Sequence, residues 1–163
     1  MFKHSNFAAL LFTSASAAVA GKNYPEMDAV MDQYGYTAEP FEVTSDTGYI
    51  STIFQIKGDY QGESKGSVFV MQGTWGAAYH WFYSPSDQVL SDMLGMEPRD
   101  ADYRPALLDV VDAGYDLWVG GLRGSKYNLG HTSMDYQDVS SGYYNFGFEN
   151  KGMEDVPAII SKI

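Results

Sequence analysis

An α/β fold is predicted by three features of the chain. The first is a hairpin of alternating apolar and polar residues. The second is a short, nearly continuous apolar run that reads as a parallel strand. The third is a helix–glycine–strand–loop unit, the second half of a right-handed crossover. At 163 residues the chain holds one domain at most.

The elements follow in order. Residues Tyr24 to Tyr36 form a short helical candidate, with Met27, Val30, Met31 and Tyr34 near helical spacing and Gly35 as a natural stop. Phe41 to Ser45 alternates, Asp46-Thr47-Gly48 supplies a turn, and Tyr49 to Ile56 is a second strand. Lys57 to Gly66 is a polar loop. Ser67 to Met71 reads as a strand buried on both faces, as in a parallel sheet. Ala77 to Tyr83 is aromatic and opens either a loop or a turn of helix.

Ser84 to Pro105 is irregular and proline-punctuated, with one helical turn expected from Val89 to Leu94. Pro105 to Ala113 restarts a helix, with Pro105 in its first turn and Gly114 at its left-handed stop. Tyr115 to Val119 is the next strand. Asp155 to Ile160 begins another helix, with Asp155 as its cap and Pro157 in its first turn.

The first twenty residues read as a secretory signal peptide. Lys3 and His4 precede an apolar, small-residue run ending in Ala18-Val19-Ala20, so cleavage is expected after Ala20 and the domain spans residues 21–163. A mitochondrial presequence is the rival reading. Such presequences are rich in arginine, and the first arginine here is Arg99. The net charge of −11 is spread along the chain, which argues against nucleic acid and anionic membranes as partners. The absence of cysteine excludes disulfide scaffolds, thiol nucleophiles and thiolate metal sites.

Candidate chemistry is sparse. Gly62-Glu63-Ser64-Lys65-Gly66 has the spacing of a nucleophile elbow, but a polar loop precedes it and a strand follows, the reverse of the strand-to-helix turn an elbow needs. It reads as a solvated loop. Arg123, set between glycines without a following Lys-Ser/Thr, is no phosphate loop and reads as an ion-paired scaffold residue. His80 and His131 lack carboxylates at metal-ligand spacing, and Gly114 separates Asp109 and Asp112 from Asp116, so no metal site is expected. Tyr79, Trp81 and Tyr83 line an acyl-binding surface or, on the plainer reading, simply pack.

Several landmarks line up with one family. Tyr34-Gly35-Tyr36, Glu42-Val43-Thr44 and Asp46-Thr47-Gly48-Tyr49-Ile50 resemble the opening of the acid lipases, a branch of the α/β-hydrolases. Phe69-Val70-Met71-Gln72-Gly73 resembles that family's strand leading to His-Gly. Asp112 to Gly124 resembles Asp-Ala-Gly-Tyr-Asp-Val-Trp-x-Gly-Asn-x-Arg-Gly. Tyr143 to Glu149, followed by Asp155-Val156-Pro157-Ala158, resembles a later segment. The departures are Gln72 for the family's histidine, Thr74 for an apolar residue, Gly121 for the asparagine, and an insertion over Ser84 to Ala106.

The resemblance implies a partial α/β-hydrolase fold: the N-terminal hairpin, the first parallel strands and crossover helices, truncated before the nucleophile strand. It implies a serine ester hydrolase of lipid degradation, either secreted or lysosomal/vacuolar, with a lipid ester as substrate and no cofactor. Thr74 is the candidate site residue, its backbone N–H serving one half of an oxyanion hole. No counterpart of the family's Gly-His-Ser-x-Gly, or of its later aspartate and histidine, is found in the sequence. The alternative is a catalytically inactive lipid- or protein-binding module on the same fold. In this superfamily the nucleophile strand lies beside the strand matched by Ser67 to Met71. Without it that edge is bare, and the chain alone is expected to be marginal, to aggregate, or to pair with a protein partner covering the edge.

Overall fold

The computed structural model of the chain describes residues 22–73, 76–82 and 104–163. The leader, Thr74, Tyr83, the Val89–Leu94 turn and nearly all of the 84–106 insertion lie outside these residues.

A mixed sheet organises the molecule, with helices on both faces. Helix α1 (Pro25–Tyr34) starts on a proline and stops at Gly35, whose φ of 75° lets its N–H return to the carbonyls of Met31 and Asp32. Strands β1 (Thr37–Thr44) and β2 (Tyr49–Lys57) form the expected hairpin, in register from Thr37 opposite Lys57 to Thr44 opposite Ile50. β1 begins four residues earlier than its alternation suggests and runs through Pro40. The strand lies at one end of the sheet, where a missing N–H costs no ladder bond.

Strand β3 (Ser67–Met71) is followed by a single 3-10 turn at Ala78–Trp81. Helix α2 (Ala106–Asp112) leads through Gly114, at a φ of 91°, into β4 (Asp116–Gly120). A two-residue strand, β5 (Gly130–His131), pairs with the start of β2.

The strand order is β1-β2-β4-β3. β3 runs parallel to β4 while the other neighbours are antiparallel. Alternate side chains face opposite ways, as strand geometry requires. Phe54, Ile56, Leu117 and Val119 meet Met27 and Met31 of α1 and Leu108 and Val111 of α2 on one face. Ile53, Val43 and Trp118 meet Ile159 on the other.

Two expectations need correction. β3 is half-buried along its middle and exposed at both ends, rather than buried on both faces. Val68 and Val70 pack toward the first cluster and Phe69 toward the second, yet among the described residues the strand is terminal in the sheet order and pairs along one edge.

Asp155 is not a helix cap. The chain is already helical before it, through α3 (Phe148–Asn150) and a π-type segment at Lys151–Asp155 that leads into α4 (Val156–Ile160). Asp155 has αR backbone angles and its side chain makes no cap bond; the carboxylate instead meets Arg123. A buried guanidinium needs a paired anion more than a helix end needs one donor satisfied.

Candidate functional site

The parallel pair β3 and β4 ends at Met71 opposite Gly120, and the sequence-predicted site begins at the next residue. Gln72 extends the ladder by one bond, its N–H donating to the Gly120 carbonyl at 3.0 Å. Its side chain is buried and folds back: Nε2 donates to the Gly76 carbonyl at 2.7 Å, and the Gly76 N–H returns to the Gly73 carbonyl at 2.9 Å. The other amide atom, Oε1, is buried without a hydrogen-bond partner among the described residues. Thr74 and Trp75 lie outside the described residues; Gly73 before them and Gly76 after them are joined by the bond from the Gly76 N–H.

Gly121 explains why this end is so tight. A Cβ at residue 121 would lie 2.6 Å from Cδ and Nε2 of Gln72, and nearer still to Nδ2 of Asn128. Two buried amides therefore close over the bare Cα. Asn128 is fixed in turn, with Oδ1 accepting from the Thr52 N–H at 2.6 Å and Nδ2 donating to Ser125 Oγ at 2.6 Å. Thr52 falls between the segment of β2 that pairs with β4 and the segment that pairs with β5. The asparagine side chain supplies the acceptor that no strand provides there.

Arg123 lies just beyond, and it is the best-satisfied charge among the described residues. Its side chain is 1% exposed. Nε donates to both carboxylate oxygens of Asp155, at 2.9 and 3.0 Å, and the Arg123 backbone N–H donates to Asp155 as well. Glu154 takes a further bond at 2.7 Å, and the guanidinium stacks 3.8 Å from the centre of the Tyr49 ring. Burial pulls the Arg123 pKa down, but the bonds to Asp155 and Glu154 outweigh it and hold it above its ordinary value. Hydrogen bonds from Thr47 and Asn150, helped by Arg123, lower Glu154 to about 2. The expectation of an ion-paired scaffold arginine holds, and the pair fastens the α3–α4 segment to the loop after β4.

Ser64 is not brought to this end, whereas both histidines are: a Cβ at residue 76 would lie 3.6 Å from His80 Nδ1, and the His131 ring lies 4.6 Å from that of Tyr49. Ser64 is exposed in the loop before β3, and its Oγ donates to Asp116 Oδ2 at 2.6 Å. Asp116 opens β4 and pairs with Ser67, whereas Gln72 follows the far ends of both strands. At about 3.3 Å per residue, roughly 16 Å separates the two positions. Ser64 is therefore a loop residue, as its sequence context indicates.

His131 in β5 accepts from the N–H groups of Ser133 and Met134 through Nδ1, each at 3.0 Å, which leaves Nε2 as donor to the Thr47 carbonyl. His80 Nδ1 accepts from the Ala77 N–H, and burial, then the charge of Lys126, lowers its pKa. Asp109 and Asp112 both pair with Arg104. Among the described residues no three carboxylates or histidines are grouped to hold a metal ion. Tyr79 packs against the first core cluster while Trp81 is 44% exposed, so these two form no continuous lining.

Sequence reasoning missed Asn128 and the ring set around Arg123. Tyr143 is fully buried and its hydroxyl donates to the Asn128 carbonyl at 3.0 Å. Tyr49 and Phe146 pack edge-on beside it. The cluster of aromatics over residues 143–146 was the available signal.

Comparison with known proteins gives a consistent picture. No family model matches the sequence. Lipase 1 of Drosophila melanogaster is 26% identical over 137 residues, covering 84% of this chain and 26% of that protein. Lipase lipl-3 of Caenorhabditis elegans is 25% identical over 165 residues, covering 96% of this chain and 36% of that protein. Gastric triacylglycerol lipase of Rattus norvegicus is 26% identical over 151 residues, covering 88% of this chain and 34% of that protein. The chain thus spans between 26% and 36% of these relatives. The matches support an acid lipase-like relationship.

Proposed function

We propose that residues 21–163 are the N-terminal portion of an acid lipase or steryl-esterase-like carboxylic ester hydrolase, preceded by a secretory leader at residues 1–20. One observation carries this reading. The carboxyl ends of β3 and β4 bring Gln72-Gly73 beside Gly120-Gly121, with β3 terminal in the strand order. Ligands of open α/β sheets lie outside the carboxyl ends of the strands, and this is the end at which the sequence resemblance puts the oxyanion turn.

In this reading the Thr74 N–H is one of two backbone donors to the oxygen that becomes negative as an ester carbonyl is attacked. The serine nucleophile, the histidine that takes its proton and the aspartate that orients that histidine would come from sequence following Ile163. Their strand would add to the edge of β3 that faces away from β4. The 163 residues alone would hydrolyse no ester by this route. The substrate is a lipid ester, no cofactor is needed, and the protein works outside the cell or in a lysosomal or vacuolar compartment. Among the described residues no helix is long and apolar enough to cross a membrane.

Reading the transcript past the codon for Ile163 tests this. An in-frame Gly-x-Ser-x-Gly after an apolar strand is expected. A stop codon at that point contradicts it and favours a second reading, a catalytically inactive module that binds lipid or a protein partner along β3. Gln72 in the histidine position, Thr74 in place of an apolar residue and the insertion over Ser84 to Ala106 are what favour that alternative.

A further inference from the structure

We propose that Gln72 is a positioning residue that braces the backbone after β3, and that Gly121 is bare because Gln72 and Asn128 together occupy the space of a side chain there. The proposal rests on the reading above only for the use made of the brace, which is to hold an oxyanion donor in place.

Three observations support it. Gln72 is buried, and among the described residues only the Nε2 half of its amide is bonded, to the Gly76 carbonyl four residues on. The same glutamine is tied through its own N–H to the Gly120 carbonyl, so the brace is anchored on β4. Any β-carbon at residue 121 would collide with the Gln72 amide and with Nδ2 of Asn128, which is itself held from both sides. The two departures at positions 72 and 121 are thus one coupled change: a longer amide at one position requires an empty place at the other. A residue that filled space alone would have no need of an N–H aimed at Gly76.

Amide hydrogen exchange on the 163-residue chain at low concentration separates these roles, with protection of the Gly76 N–H as the reporter. Gln72→Met keeps the volume and removes the donor. It is expected to lower Gly76 protection about tenfold, the size of one lost hydrogen bond, with little change in melting temperature. Gln72→Glu is expected to show the same loss at neutral pH and to recover protection in acid, when the protonated carboxyl can donate its O–H to Gly76. Gly121→Ala is expected to lower the melting temperature more in the parent chain than in a Gln72→Ala background.

Unchanged Gly76 protection in Gln72→Met, or strictly additive effects of Gly121→Ala and Gln72→Ala, overturns the proposal. If Gly121→Ala does not fold, the Met and Glu variants decide alone. Failure of the proposed ester chemistry leaves the exchange result standing, whereas unchanged exchange removes the brace and leaves that chemistry untouched.

Discussion

Two buried polar centres lie beyond the carboxyl end of β4, and they are built on opposite principles. At Arg123 the charge is met by two carboxylates and an aromatic face, and the residue's own backbone N–H donates to one of those carboxylates. At Gln72 one amide atom is bonded and the other is buried with no partner among the described residues. The contrast separates roles. A fully satisfied centre fixes one arrangement and holds distant segments together. A half-satisfied one is tolerated where the backbone around it has a task.

The largest effect should come from breaking the satisfied centre. Asp155→Ala leaves the buried Arg123 guanidinium with Glu154 as its one remaining carboxylate among the described residues and is expected to cost about 3–5 kcal/mol. Chemical denaturation at low micromolar concentration checks this; a loss no larger than that of a surface substitution would remove the distinction between the two centres.

Next in size is Gly121→Ala, which forces apart two packed amides and is expected to cost about 1–3 kcal/mol by the same measurement.

A smaller effect is expected from pH. Glu154 is held at about 2, below its ordinary value of 4.5. Its contribution is therefore complete above pH 4.5 and lost as pH falls through 2. Melting temperatures at pH 6 and pH 2.5 should differ less in Glu154→Gln than in the parent chain; an equal difference would show that Glu154 adds no acid-sensitive stability.

The smallest effect belongs to Ser64→Ala, in an exposed loop, where a change within about 0.5 kcal/mol is expected. A larger loss would mean that its bond to Asp116 matters to the sheet.

Local features of the fold were legible in the sequence. Alternation with an Asp-Thr-Gly turn marks the β1–β2 hairpin, and Pro105 and Gly114 bracket α2 before β4. These signals act over a few residues. The role of Arg123 was legible because a charge between glycines at a strand end needs an anion. Its partner was not, since Asp155 lies 32 residues away and looks locally like a helix cap. The packing of Gln72 against Gly121 and Asn128 was equally hidden, because it depends on the register of β3 against β4 and not on any spacing along the chain. The half-exposure of β3 followed the same logic: composition reports an apolar strand, while only the sheet order reports which of its edges is covered.

Covalent labelling of the purified 163-residue chain with a fluorophosphonate probe, alongside turnover of a short-chain ester, tests most directly whether this is a scaffold that needs a nucleophile from elsewhere. The account predicts neither labelling nor hydrolysis. Stoichiometric labelling with turnover that persists in Ser64→Ala would reveal an activated serine within these residues and contradict it.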